Sequence, residues 1–248
     1  MKNKFFEVKN KTESTAEIYI VGEIMTEKPW YEDGEESKDN YLRDFIKTMQ
    51  NLKDMDELEI HINSPGGALF AGVSMYNLFK NHKAKKKVYI DFAASAASLV
   101  ALAGDEIIIP KNAFLMVHKP IMGARGNAND FKKAIEMLES IEVGMMSIYE
   151  ENLINESDKE LVNEMVQKET WLNGEEASAI FKNMKVTEEI DVAACSNFDF
   201  SLYNHIPKEL LGKAKEKNEN TLDDKKKEEI ENKKKLELAK AKLGLLIA

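Results

Sequence analysis

Apolar and polar residues alternate through residues 17–24 (EIYIVGEI), the period of a half-buried strand, so the first strand is predicted there. The acidic stretch through Trp30, Asp33, Gly34 and Ser37 breaks the alternation and reads as a loop. Between Tyr41 and Leu52 the period lengthens. Leu42, Phe45, Ile46, Met49 and Leu52 recur at helical spacing with one stripe facing a core. A strand–helix–strand crossover comes next: residues 58–63 (LEIHIN) and 87–92 (KVYIDF) have strand character, and residues 66–82 form the helix between them. Residues 95–103 (SAASLVALA) make a second compact helix, and residues 106–109 and 113–117 make short apolar strands. From 127 to 153, Phe131, Ile135, Leu138, Ile141, Met145 and Ile148 mark one long projecting helix whose apolar stripe needs a partner. Further helices are predicted to begin at Ser157 and Gly174. Beyond Pro207 the chain is rich in Lys and Glu until the apolar residues 243–248, which fits a solvated helix or a disordered tail.

Alternating strands and helices imply a mixed α/β core, with a globular domain at 1–205 and a charged tail at 206–248. A hydrophobic content of 43% over 248 residues is enough to bury that core. The net charge of -9 argues against nucleic acid as a partner, because binding phosphate needs a basic field. The tail is locally basic, with twelve Lys against nine Asp or Glu from residue 205 onward, so the body is distinctly acidic. Lys83, Lys85, Lys86 and Lys87 are expected at the end of the crossover helix, where solvation and the helix dipole account for them. Cys195 is the single cysteine, and no Cys/His cluster offers a metal site, so a reducing, cytoplasmic compartment without metal or cofactor is expected. The opening MKNKFFEVKN lacks the apolar run of a secretion signal, and no apolar stretch reaches membrane-spanning length.

Three strand ends carry the candidate chemistry. Asn63-Ser64-Pro65-Gly66-Gly67 lies between a strand and a helix, where paired glycines let the backbone approach a ligand; alone, it is a turn. The next strand ends in Ala93-Ala94-Ser95-Ala96-Ala97-Ser98, and small residues around a serine at a strand-to-helix junction leave room for a substrate carbonyl. A helix N-cap is the competing role for such a serine. His118 comes directly after the apolar strand at 113–117, a position from which an imidazole can serve as general base for a serine on a neighbouring strand.

These stretches resemble the Clp protease proteolytic subunit and, more closely, the head-maturation (prohead) proteases of phages and prophages. The likeness rests on HINSPGGALFAGVSMYNLF, AASAASLVALAG, NAFLMVHKP, GARGNANDF and ETWLNGEEA, in the family's order and near its spacing. The resemblance implies a Clp protease/crotonase-like spiral of strand–helix units, assembled as a homo-oligomeric ring around serine-peptidase sites. Ser95 matches the family nucleophile, Ser98 is then the decoy, and His118 matches the base. The family's third member is an aspartate, and Glu169 stands in its place; Asp158 and Asp105 are the alternatives. The resemblance also assigns the oxyanion hole to the backbone N–H groups of Gly67 and Ala96, and strand-like substrate binding to Gly123, Ala124, Arg125 and Gly126, with a surface role as the alternative for Arg125. His61, His82 and His205 are expected to be structural or exposed.

The departures are an acidic insertion at 27–39, Asp91 where the housekeeping enzyme has glycine, and the tail. They favour a head-maturation protease cutting scaffold or capsid proteins. The alternatives are a housekeeping proteolytic subunit served by an ATP-dependent unfoldase, a hydratase-like acyl-CoA enzyme of the same fold, and a non-catalytic assembly subunit.

Overall fold

A computed structural model describes residues 5–9, 11–26, 41–189, 203–207 and 210. The acidic insertion, Cys195 and the apolar chain end lie outside the described residues. The chain divides into two compact units, Met1–His205 and Ile206–Ala248; in the second, the Leu210 amide donates to the Pro207 carbonyl at 3.0 Å.

Alternation produces the centre of the first unit. In β2 (Thr15–Val21), β3 (Glu57–Ser64) and β4 (Lys85–Ala94) every second residue turns inward, so Ile18, Ile20, Leu58, Ile60, Val88 and Ile90 are fully buried. The strands run parallel, as crossover connections require, with Ile18 beside Ile60 and Ile60 beside Val88. The crossovers are α1 (Leu42–Asn51) and α2 (Leu69–Lys80), whose Phe45 and Phe79 meet edge-to-face at 5.4 Å and join the same core. On the opposite face Tyr19, His61 and Tyr89 stack across the strands at 4.5 and 4.7 Å, an aromatic ladder made by the outward-facing positions. A short strand at the chain's start, β1 (Phe6–Lys9), adds antiparallel to β2.

The mixed α/β architecture is the one the alternation of strand and helix patterns predicts, and the differences are local. Helix α2 starts at Leu69 instead of residue 66, because Gly66 and Gly67 adopt φ of 92° and 135° and Gly67 forms a parallel bridge with Ile24. The lysine run does not close that helix. Lys85, Lys86 and Lys87 open β4, and Lys86 is buried, its Nζ 3.1 Å from the His82 carbonyl and 3.0 Å from Asp105 Oδ2.

Strand β4 forks. Its first half pairs with β5 (Glu106–Pro110) and its last three residues with β6 (Phe114–Val117). Between the halves Asp91 is an extra residue: Ile62 pairs with Ile90, but Asn63 pairs with Phe92. Such a bulge bends its strand and re-aims the residues C-terminal to it, here the Ser95 turn. The short helix α3 (Ala96–Ala101) then lies so close to α2 that a methyl on Gly72 would stand 2.9 Å from Ala96 Cβ.

The long helix α4 (Ala128–Glu151) begins at Asn127, whose side chain accepts from the amides of Asn129 and Asp130 at 2.9 and 3.3 Å. It buries only Met145, Met146, Ile148 and Tyr149 near its end, while Phe131, Ile135, Met137 and Val143 are exposed. A 3-10 turn leads into α5 (Lys159–Lys168), then β7 (Thr170–Asn173), α6 (Gly174–Ile180) and β8 (Met184–Thr187). β7 pairs antiparallel with β6, and β8 extends the sheet beyond β5. Among the described residues no helix is long and apolar enough to cross a membrane, and no group of His, Cys, Asp and Glu is arranged to hold a metal.

Candidate active site

Ser95 sits between β4 and α3 at φ 55°, ψ −127°, a conformation that costs a non-glycine residue on the order of 1–3 kcal/mol. Packing imposes it. The Ser95 amide donates to the Met116 carbonyl at 3.0 Å, tying the turn to the end of β6. A methyl added to Gly66 would stand 2.5 Å from the Ala94 carbonyl, 2.7 Å from Ser95 Cβ and 2.9 Å from the Ala96 nitrogen. The Pro65-Gly66-Gly67 turn therefore lies directly on the serine turn, and only glycine fits there.

His118 comes just after β6 and is 7% exposed. Its Nε2 is 2.8 Å from Ser95 Oγ. Burial holds the imidazole below its ordinary value, while the charge of Glu169 opposes part of that shift. The ring is thereby kept neutral and able to accept a proton.

Glu169 reaches the site through register. Val117 faces Thr170 across the β6–β7 pair, which sets the residues just outside it, His118 and Glu169, side by side. Glu169 ends α5 in the left-handed conformation, at φ 53° and ψ 87°. Its carboxylate nevertheless accepts from Asn204, one oxygen taking the backbone amide and the other the side-chain amide at 3.3 Å. No hydrogen bond links it to His118 among the described residues. Of the alternative acids, Asp105 is paired with Lys86, and Asp158 accepts from the Asn155 side chain at 3.2 Å at the start of α5.

Ser98 is fully buried and has another task. Its Oγ donates to the Ser95 carbonyl at 2.6 Å and so has no proton left for Tyr149, whose hydroxyl donates to it at 2.7 Å. Ser64 is likewise buried, donating to the Gly22 carbonyl at 2.6 Å.

The two amides expected to hold an oxyanion border this turn. In the Gly67–Ile24 bridge, Ile24 donates to the Gly66 carbonyl and Ala68 donates to the Ile24 carbonyl, so the bridge leaves the Gly67 amide out. Ala96 is the first residue of α3, where an amide has no acceptor within its own helix. Gly123, Ala124, Arg125 and Gly126 are exposed and belong to no strand, and Arg125 makes no ion pair among the described residues. Of the other histidines, His61 is the middle ring of the aromatic ladder, His82 joins the Leu52 carbonyl at 3.1 Å, and His205 is exposed.

Sequence reading missed Tyr203, Asn204 and the part played by Trp171. The Tyr203 ring meets His118 edge-on at 5.7 Å and Trp171 at 6.0 Å, and its hydroxyl donates to the Pro65 carbonyl at 2.6 Å. Burial pushes this phenol up to about 12, so it stays protonated. The cluster of aromatic residues shortly before Pro207 was the available signal.

A strained serine in contact with a neutral, buried imidazole is the arrangement of a nucleophile and its base. The family described as Clp protease matches residues 15–180. The ATP-dependent Clp protease proteolytic subunit 2 of Treponema denticola is 27% identical over 182 residues, covering 69% of this chain and 84% of that protein. The matched span runs from the first residue of β2 to the last of α6 and includes Ser95, His118 and Glu169, and the chain belongs to the Clp protease family.

Proposed function

We propose that the protein is a serine endopeptidase in which Ser95 is the nucleophile, His118 the general base and Glu169 the acid behind it. The observation that carries this reading is the 2.8 Å contact between His118 Nε2 and Ser95 Oγ at a strained strand-to-helix turn. As Ser95 Oγ bonds to a peptide carbonyl carbon, its proton passes to His118 Nε2. The carbonyl oxygen becomes an oxyanion facing the amides of Gly67 and Ala96. His118 then gives the proton to the departing amine, and water repeats the cycle to free the acyl group. Glu169 acts on the imidazolium through Nδ1. The exposed, unpaired Gly123–Gly126 stretch suits an extended substrate adding as a strand.

Within that activity the role is head maturation, with scaffold or capsid proteins cut inside a homo-oligomeric ring in the cytoplasm of a phage-bearing cell. The insertion at 27–39, the charged tail and Asp91 support this branch, since they depart from the housekeeping pattern. The housekeeping role, working with an ATP-driven unfoldase, is favoured by the name of the Treponema denticola relative. Incubation with a co-expressed capsid precursor, or with an unfoldase and a tagged substrate, separates the two by which protein is cut. The peptidase reading itself is tested by hydrolysis of a fluorogenic peptide library: turnover by the parent and none by Ser95→Ala is expected. Equal turnover by both would end it.

A further inference from the structure

The segment Tyr203-Asn204 touches two of the three residues to which the proposed reaction gives a role, His118 and Glu169. Tyr203 spans from the His118 ring to the Pro65 carbonyl, and Asn204 occupies both oxygens of Glu169. The Asn204 carbonyl in turn accepts from Trp171 Nε1 at 3.1 Å, fastening the segment to β7.

These contacts oppose the reaction. Glu169 is directed to an amide backbone instead of the imidazole it would steady in a productive site. Tyr203 also bridges His118 and the Pro65 turn, the two sides that Ser95 itself touches and to which a peptide carbonyl has to come. The hold is built to be broken: Asn204 is exposed, and hydrogen bonds of this kind are individually weak.

We propose that Tyr203-Asn204 is an intramolecular strap that keeps the peptidase site latent until a substrate displaces it. The strap presupposes the peptidase reading, and its test keeps the two apart. The full-length parent, Tyr203→Phe and Asn204→Ala are each reacted with a fluorophosphonate probe, the Ser95 adduct is tracked over time, and thermal unfolding is recorded for each. Tyr203→Phe removes the hydroxyl but leaves the ring packed on His118 and Trp171, so its fold is retained.

Loss of one net hydrogen bond from the closed state should raise the open fraction, and with it the labelling rate, by about fivefold. Faster labelling of both variants, including the case in which the parent does not label, bears the strap out. A parent that labels at Ser95 at least as fast as both variants overturns the strap and leaves the peptidase standing, since Tyr203 and Asn204 then assist the site. No adduct at Ser95 in any of the three overturns both.

Discussion

At the residue scale the proposed chemistry turns on the proton of His118. Burial lowers the imidazole's pKa and Glu169 opposes the shift, so the acid limb of kcat/KM should lie below the ordinary 6.5. Removing the charge removes the opposition. Glu169→Gln is therefore expected to move that limb to still lower pH, and to lower kcat roughly 10²–10⁴-fold with little change in KM, because the carboxylate acts on the imidazolium formed in the transition state. A pH–rate profile of the variant that overlays the parent's would show that Glu169 has no part. The meeting of Ser95 and His118 could be read from the sequence because each stands at a strand end among small or apolar residues. The partner of Glu169 could not, because Asn204 is 35 residues further along the chain and stands in none of the motifs.

At the scale of elements, two glycines should respond in opposite senses to the same substitution. Gly66→Ala puts a methyl against the Ala94 carbonyl in a left-handed conformation, and should cost on the order of 1–3 kcal/mol as well as displacing the Ser95 turn. Gly144→Ala, within α4 and with nothing within 4 Å, should stabilise by about 0.5–1 kcal/mol. Paired denaturant titrations check both; equal effects would mean that Gly66 is not the contact point of the two turns. Elements with a buried face of their own were legible: α1, β3, β4 and α4 start and stop within a few residues of where periodicity puts them. The four-residue strands β1, β7 and β8 were not, since FEVK, TWLN and MKVT become strands only through their partners. The bulge at Asp91 escaped for the same reason, because an extra residue is defined only against the register of β3.

For the molecule as a whole, histidines that folding desolvates make acid the weak side. His61, His82 and His118 are all held below 6.5 by burial, so the unfolded chain takes up protons that the folded chain refuses. Stability should be fully present above 6.5 and fall as the pH drops through the window below it. Asp91, raised by burial, works in a lower window with the opposite sign, its contribution being lost as pH rises through its folded value. Melting temperatures from pH 8 to 5 check this, and a flat profile would contradict it. Assembly belongs to the same scale. Phe131 and Ile135 expose apolar surface on α4, whereas Met145 is part of the core, so Phe131→Glu with Ile135→Glu should yield smaller, still folded species by sedimentation. An unchanged oligomer would place the subunit contact elsewhere. The central claim, that this molecule is a serine peptidase acting through Ser95, is tested most directly by mapping the covalent adduct of a fluorophosphonate probe by mass spectrometry. One modified peptide is predicted, labelled at Ser95, that disappears in Ser95→Ala and persists in Ser98→Ala; an adduct on Ser98, or none on any serine in the parent, Tyr203→Phe and Asn204→Ala alike, would contradict it.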